Sequence, residues 1–294
     1  MESLAVVGHI AIDRIITSSG ERHQLGGSPT YVSLITHLLG IPLRAATKVG
    51  GDFPEIYASE LAERGLDIHD SIVPLAKTTR FVLDYTKAER GLGYDSLCTS
   101  IEPKDVKELP DAAILAPIVG EIPDETLEAI VSRVLALDPQ GFVRRLEPGG
   151  SISQHPWCDF GLLNRLSVFK ASTRELRLVV GESSWAGLEC LVRLGVVVAI
   201  ETLGGEGARV VHSGRRMVVP AHRGEAVDTT GAGDAFIAGF FAEYASGEEV
   251  EWCAAVGSAA ASAVVETVGP SIKIGRGELF ERAEKIQTSI KYLP

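Results

Sequence analysis

The chain has 294 residues, of which 45% are hydrophobic, and its formal net charge is −11. This size and composition favour a folded protein with a buried core and argue against intrinsic disorder. The negative charge argues against general binding to nucleic acid or to an anionic membrane, because the field of the protein would repel a polyanion. An anionic ligand therefore requires a local pocket.

The pattern of apolar residues and cysteines argues against further classes of protein. The longest apolar runs, such as 194–200 and 254–265, are shorter than the roughly 20 residues of a membrane-spanning helix. The N-terminus lacks the basic stretch of a secretory signal, so we expect a cytoplasmic protein. The four cysteines are too widely spaced for a zinc site or a disulfide framework.

Strand-like and helical patterns alternate from the N-terminus onward. Residues 4–12 and 44–50 have the apolar pattern of strands, and residues 28–40 and 53–65 have that of helices. This alternation is typical of βαβ units, in which helices cover both faces of a mostly parallel sheet. The sequence therefore predicts an α/β fold.

Two segments, 13–27 and 78–96, interrupt the alternation with short strand patterns and polar turns. They predict a small antiparallel sheet that projects from the core and can act as a lid. No linker or internal repeat divides the chain, so we expect one domain over residues 1–294. An exposed lid edge could pair with a second copy, which leaves a monomer and a homodimer through the lid as the alternatives.

The segment DTTGAGDAFIAGF, residues 228–240, combines glycines, an acid and an apolar run with helical spacing. Unpaired amides at the start of a helix bind anions, so Gly231, Ala232 and Gly233 form a candidate phosphate cradle. Asp234 either caps the helix or accepts the proton of a substrate hydroxyl that attacks a γ-phosphate. The common P-loop and dinucleotide-binding fingerprints do not match, since Phe236 stands where the latter requires its third glycine.

This segment resembles the C-terminal signature of the ribokinase-like (PfkB) carbohydrate kinase family. Other segments resemble that family's motifs in the same order: VVGHIAID (6–13), LGGSPTYVSLITHLLG (25–40), KVGGDF (48–53) and TLGGEGA (202–208). The resemblance implies a three-layer αβα domain with a β-sheet lid and a kinase that uses ATP and Mg²⁺. Some members of the family also bind a monovalent cation near the acid that corresponds to Asp228.

The resemblance also implies site residues, with Asp234 as the catalytic base and Gly231, Ala232 and Gly233 as the anion hole. The residues expected at the acceptor substrate are Asp13, Gly26, Gly27, Tyr31, Lys48, Arg80, Gln140 and Arg144. The residues expected at ATP are Lys170, Ser172, Glu175, Thr202, Gly204, Gly207, Thr230, Gly257 and Ser258. Lys170 and Arg80 could instead lie on solvated faces, and the small residues near Gly257 could serve only helix packing.

Two departures from the usual family pattern indicate a subgroup. Tyr31 stands where the family usually has an asparagine, and Ser172 replaces the asparagine of a phosphate-side motif whose acid is Glu175. Both features resemble the myo-inositol kinases of plants and archaea. The expected function is phosphoryl transfer from ATP to a hydroxyl of a small polyol, myo-inositol.

Other functions stay open at this point. A nucleoside or sugar kinase of the same family is the first alternative, because Tyr31 and Phe81 could form the wall of a base-binding pocket. A nucleotide- or sugar-binding protein without catalysis is the second, although the presence of Asp234 argues against it. A dinucleotide-dependent oxidoreductase is the remotest.

Overall fold

Strands and helices alternate along the computed structural model, which describes residues 3–86 and 91–294. The strands are β1 Leu4–Val7, β2 Ala11–Thr17, β3 Gly20–Gly26, β4 Leu43–Ala46, β5 Val49–Gly50, β6 Ile72–Val73, β7 Thr79–Asp84, β8 Gly91–Ser96, β9 Ala112–Leu115, β10 Val134–Leu137, β11 Arg144–Leu146, β12 Ile152–Gln154, β13 Val168–Ser172, β14 Val198–Thr202, β15 Ala208–His212, β16 Arg215–Val219 and β17 Lys291–Leu293. The helices are α1 Ser28–Leu39, α2 Glu55–Glu63, α3 Asp124–Ala129, α4 Phe160–Leu163, α5 Thr173–Val180, α6 Trp185–Arg193, α7 Ala232–Ala245, α8 Val250–Val265 and α9 Arg276–Gln287.

A nine-stranded sheet in the order β17-β16-β15-β14-β13-β10-β9-β1-β4 forms the centre of the molecule. The strands from β14 to β4 in this order run parallel to one another. Strands β15, β16 and β17 extend the sheet in antiparallel fashion. Because the parallel strands share one direction, their carboxyl ends meet at one edge of the sheet.

Helices cover both faces of this sheet, as strand β1 shows. Leu4 and Val6 belong to an apolar cluster with residues of α1, α7, α8 and α9, whereas Ala5 and Val7 belong to a second cluster with residues of α4, α5 and α6. Alternate side chains of a strand point to opposite faces, so each cluster is one side of the sheet. The predicted α/β class with three layers is confirmed.

A separate sheet in the order β3-β2-β7-β8 forms the predicted lid. The pairs β2–β3 and β7–β8 are antiparallel, and a parallel pair, β2–β7, joins them. Residues 87–90 of the predicted lid segment 78–96 lie outside the described residues. The lid contacts the core through the di-glycine Gly26-Gly27, which leads from β3 into α1.

A hairpin of β11 and β12 lies against the lid. Gly93 of β8 forms a bridge with Ser151, and the Tyr94 amide donates to the carbonyl of Gly150 in the turn of the hairpin at 2.8 Å. The hairpin thus connects the lid with the segment that follows β10.

No helix within the described ranges, 3–86 and 91–294, is both long and apolar enough to cross a lipid bilayer.

Candidate active site

A cavity of about 680 Å³ lies between the lid and the carboxyl ends of the central strands. Asp138 follows β10, Ser172 ends β13 and Thr202 ends β14, so these side chains reach the cavity from neighbouring strands. The start of α7 forms another wall. This is the position at which open α/β sheets bind their ligands.

Most of the residues that the sequence singled out line this cavity. They are Asp13, Gly27, Tyr31, Gln140, Arg144, Lys170, Ser172, Glu175, Thr202, Gly204, Gly207, Thr230, Gly231, Ala232, Gly233, Asp234 and Ser258. Residues far apart in the sequence therefore meet at one site.

Two predicted cations, Lys48 and Arg80, are not among the lining residues. The ammonium group of Lys48 donates to Asp105 at 2.7 Å. The guanidinium of Arg80 donates to Asp52 at 3.0 Å. Both cations are thus engaged in ion pairs with other residues, and Arg80 lies within lid strand β7.

Two predicted glycines also lie outside the lining. Gly26 sits against the carboxylate of Asp13, where a Cβ atom would approach the carboxylate oxygen to 2.3 Å. The absence of a side chain therefore makes room for Asp13. Gly257 lies in α8 against the backbone of Phe236 in α7, which is a packing contact between the two helices.

The turn before α7 has the geometry of an anion cradle. Gly231 adopts a left-handed φ of 78°, which allows the chain to enter the helix there. The Ala235 amide makes the first helical hydrogen bond, to the Gly231 carbonyl at 2.8 Å. The first amides of a helix have no partner within it, so those of Gly233 and Asp234 are placed where a phosphate oxygen can accept from them.

The ring of Tyr31 packs against this turn. A Cβ atom on Gly231 would lie 2.2 Å from its ring, so the turn and the ring are in close contact. Burial raises the pKa of the Tyr31 phenol, and the carboxylates of Asp13, Asp228 and Asp234 raise it further. The phenol is therefore neutral, and its oxygen has no hydrogen-bond partner among the residues described here.

A chain of hydrogen bonds orients the carboxyl of Asp234. The Gln140 amide nitrogen donates to Asp234 Oδ1 at 3.2 Å and to the Ser28 hydroxyl at 3.0 Å. Arg144 donates to the Gln140 amide oxygen at 3.0 Å and to the Ile118 carbonyl at 2.7 Å, which fixes the orientation of the amide. Burial raises the pKa of Asp234, although Lys170 and a hydrogen bond from Ser28 oppose the shift.

Lys170 forms a buried ion pair with Asp138 directly behind Gly233. Burial raises the pKa of Asp138, and Lys170 opposes that rise. Burial alone would lower the pKa of Lys170, but Asp138, Glu175 and Asp234 together raise it. A positive charge is thus held beneath the cradle and beside the carboxyl of Asp234.

The other end of the cavity is a groove with small side chains. Ser172 caps α5 in a reciprocal pair with Glu175, whose carboxylate accepts from the Ser172 amide at 2.8 Å. Residues of the segment 221–226 and of helix α8 line this groove. They are tied together by Ser262, whose hydroxyl accepts from the His222 amide at 3.2 Å.

Asp228, the acid proposed near a monovalent cation, is bound by groups of the protein. Its Oδ1 accepts from the Thr230 amide at 3.0 Å. Its Oδ2 accepts from the Arg22 guanidinium at 3.2 Å and from the Gly269 amide at 3.4 Å. Arg22 belongs to lid strand β3, so this ion pair joins the lid to the segment that leads into the cradle.

Several cavity residues were not predicted as site residues: Ser28, Ile118, Leu83, Leu92 and five residues of the segment 221–226. Ser28 could have been found, because it directly follows the di-glycine at the start of α1. The lid leucines could not, because their pairing across two strands depends on a register that the sequence does not specify.

Comparison with known proteins places the chain in a family. Residues 1–274 match the model of the pfkB family carbohydrate kinases. The chain is 29% identical to an inositol 3-kinase of Arabidopsis thaliana, over 90% of this chain and 74% of that protein. It is 26% identical to a cytidine kinase of Thermococcus kodakarensis, over 92% of this chain and 98% of that protein.

Solved structures share the fold. One is a pyrophosphate-dependent kinase of the ribokinase family in complex with a pyrophosphate analogue and myo-inositol, with a TM-score of 0.78 and 20% identity over 95% of this chain and 99% of that chain. Another is a pyrophosphate-dependent myo-inositol-1 kinase that two substitutions to leucine converted into a myo-inositol-3 kinase, with a TM-score of 0.77 and 22% identity over 96% of this chain and 98% of that chain. The family match, the relatives and the shared fold identify this protein as a member of the pfkB family of carbohydrate kinases, a phosphotransferase that acts on a hydroxyl group.

Proposed function

We propose that this kinase transfers the γ-phosphoryl group of ATP to the 3-hydroxyl of myo-inositol. The observation that carries the proposal is the oriented carboxyl of Asp234 beside the amides of the cradle, in a cavity that a lid covers. The relative from Arabidopsis thaliana supports both the acceptor and the hydroxyl. The neighbour that became a 3-kinase through two leucines supports the same hydroxyl, since the lid of this chain presents two leucines to the cavity.

The acceptor end of the cavity carries groups suited to a polyol. A hydroxyl both donates and accepts hydrogen bonds, so a ring with many hydroxyls needs partners of both kinds. Asp13 accepts, Arg144 donates and Gln140 does both, and all three line the cavity. Gln140 and Arg144 already bond to each other, which holds them in place before a ligand arrives.

Asp234 is the proposed general base. Its carboxylate accepts the proton of the acceptor hydroxyl while that oxygen forms a bond to the γ-phosphorus and the bond between this phosphorus and the leaving ADP breaks. The amides of the cradle stabilise the negative charge on the transferring group. Closure of the lid excludes water, which would otherwise compete as the acceptor.

The groove between segment 221–226 and α8 is the proposed site of the nucleoside. It extends the cavity beyond the phosphate cradle and has small residues, among them Ser258, Ala261 and Val265, that leave room for a planar base.

Mg²⁺ typically binds nucleotide phosphates with one or two protein carboxylates, and Glu175 supplies such a carboxylate at this end of the cavity. The metal would neutralise charge on the phosphates, and Glu175 would hold it.

The test is a panel of donors and acceptors. We expect the highest kcat/KM with ATP, Mg²⁺ and myo-inositol, compared with ribose, fructose, adenosine, cytidine and no acceptor. Pyrophosphate replaces ATP in a parallel series and identifies the donor directly. A preference for cytidine would favour the nucleoside kinase alternative, which the relative from Thermococcus kodakarensis and the apolar wall of Phe81 support. Binding of nucleotide without transfer to any acceptor would favour a protein without catalysis.

The raised pKa of Asp234 predicts the pH dependence of this reaction. The base must be ionised, and a raised pKa means that the ionised fraction is lost at a higher pH than for an ordinary carboxyl group, whose pKa is about 3.9. We therefore expect kcat/KM to fall as the pH decreases, with a midpoint above the ordinary pKa of a carboxyl group. The neighbouring Asp138, whose pKa is also raised by burial, contributes to this fall. Circular dichroism at each pH separates this effect from unfolding, and a rate that stays constant to pH 4 in folded protein would contradict it.

A further inference from the structure

A buried glutamate holds the loop that follows β9. Glu121 is 4% exposed. Its Oε1 accepts from the His9 amide at 2.9 Å and from the Ile118 amide at 2.8 Å, and its Oε2 accepts from the Val119 amide at 2.8 Å. Gly120, with a left-handed φ of 82°, turns the chain so that the carboxylate folds back onto these amides. Because β1 and β9 are neighbours in the central sheet, this one side chain bonds to the segments that follow both strands.

The loop 116–121 contacts the segment that follows β10 at two points. The Ile118 carbonyl accepts from Arg144 at 2.7 Å, and Arg144 also donates to the amide oxygen of Gln140 at 3.0 Å. A Cβ atom on Gly141 would lie 2.4 Å from the backbone of Pro117, so the two segments pack with no room for a side chain between them. The loop therefore supports both the backbone beside Gln140 and the orientation of its amide.

The orientation of this amide decides which group meets the carboxyl of Asp234. Because the amide oxygen of Gln140 is bound to Arg144, the amide nitrogen faces Asp234 and donates to its Oδ1 at 3.2 Å. A donor at a carboxylate favours the ionised form. A flipped amide would place its oxygen against the carboxyl group and favour the protonated form, which cannot accept a proton from a substrate.

We infer that Glu121 is a positioning residue for the base: it fixes the loop 116–121, and through Ile118 and Arg144 this loop keeps the amide nitrogen of Gln140 on Asp234. The inference rests on the proposed role of Asp234 as the base. Glu121 is not among the lining residues of the cavity, so it acts through the residues in between and not on a ligand.

The charged and titratable groups around the base matter because the test is a pH profile. Those that face Asp234 come from different elements and are Tyr31, Asp138, Arg144, Lys170 and Glu175. His9 is the titratable neighbour of Glu121, with Lys48 as the nearby cation, and burial lowers the pKa of His9. Loss of the Glu121 charge by itself would lower the pKa of Asp234, whereas loss of the Gln140 donor raises it. The direction of the change therefore distinguishes the two effects.

The experiment compares the pH profiles of kcat/KM of the wild-type protein and the Glu121→Gln variant, with whichever acceptor the wild-type protein phosphorylates fastest. Glutamine has the same shape, but its amide nitrogen would face a backbone N–H, so the loop loses part of its support. We expect the midpoint of the acid limb to rise by roughly one pH unit, as for the loss of a hydrogen bond to a charged group. We also expect kcat to fall by about tenfold, because the base is less well oriented.

Glu201→Gln is the matched control. Glu201 is also fully buried, and its carboxylate pairs with Arg209 at 3.0 Å. Neither residue is among those that line the cavity. We expect this variant to keep the midpoint of the wild-type protein, even if its Tm falls.

A second background tests whether Glu121 acts through Gln140. Gln140→Leu removes the amide, so Glu121→Gln should cause no further rise of the midpoint in that protein. A role of Glu121 in stability alone would lower Tm and leave the midpoint in place. An unchanged midpoint, a shift to lower pH, or an equal rise in both backgrounds would overturn the inference.

The outcomes separate this inference from the proposed function. A wild-type protein without an acid limb, or an Asp234→Asn variant with undiminished kcat, would overturn the proposed base and the inference with it. A wild-type acid limb that Glu121→Gln leaves in place overturns the inference alone. If Glu121→Gln does not fold, Glu121→Asp replaces it in both backgrounds. Its shorter side chain cannot reach all of the amides, so a smaller rise is expected and no rise is contrary.

Discussion

Replacement of Asp234 by asparagine is expected to lower kcat by about 10²- to 10⁴-fold, the usual contribution of a general base. Asparagine has nearly the same shape, and its amide oxygen can still accept from Gln140, but it cannot take up the proton of the acceptor hydroxyl. We therefore expect ATP and acceptor to bind with little change. Steady-state kinetics measures the first effect and isothermal titration calorimetry the second.

Asp13→Asn is the control for this experiment, because it also removes a carboxylate from the cavity wall. Asp13 lies at the acceptor end, so its replacement should mainly raise the KM for the acceptor. If the Asp234→Asn protein kept a tenth or more of the wild-type kcat, the assignment of the base would be wrong. Equal losses of kcat in both variants would indicate that the rate depends only on the total charge of the cavity and not on a base at position 234.

The second large effect concerns stability. Lys170→Met should lower the free energy of unfolding by about 3–5 kcal/mol, because Asp138 would then be a buried carboxylate without its cation. For a chain of this size the corresponding fall in Tm is on the order of 10 °C. Calorimetry or thermal circular dichroism measures it.

A double variant tests whether the ion pair is the cause. Lys170→Met/Asp138→Asn removes both charges, and the asparagine keeps an oxygen that can accept from the backbone N–H of Gln140, as Asp138 does at 3.2 Å. We expect the double variant to be more stable than Lys170→Met alone. A double variant that is no more stable than the single one would show that the loss arises from packing around Lys170 and not from the unpaired charge.

The fold and the centre of the site could be predicted because their signals are local in the sequence. The alternation of apolar strands and helices indicates the layered sheet, and the glycines before the apolar helix indicate the turn at Gly231. The acid at Asp234 is adjacent to that turn. Each of these features depends on residues within a few positions of one another.

The rest of the site depends on contacts between distant segments. Asp138 and Lys170 are 32 residues apart and meet only because β10 and β13 are neighbours in the sheet. Lys48 and Arg80 were expected at the substrate, but they pair with Asp105 and Asp52, which lie 57 and 28 positions away in the sequence. The roles of the individual cavity residues stay predictions until variants are measured.

The hairpin β11–β12 has a consequence for the exchange of lids between relatives. It is bonded to the lid at Gly93, and its first residue, Arg144, reaches the amide of Gln140 in the cavity. A transplanted lid made only of β2, β3, β7 and β8 would place a β8 strand from one kinase against the hairpin of another. The residue at the position of Arg144 would then no longer be aligned with the side chain at the position of Gln140. The module that has to be moved as a unit to carry acceptor preference into another kinase therefore includes residues 144–154.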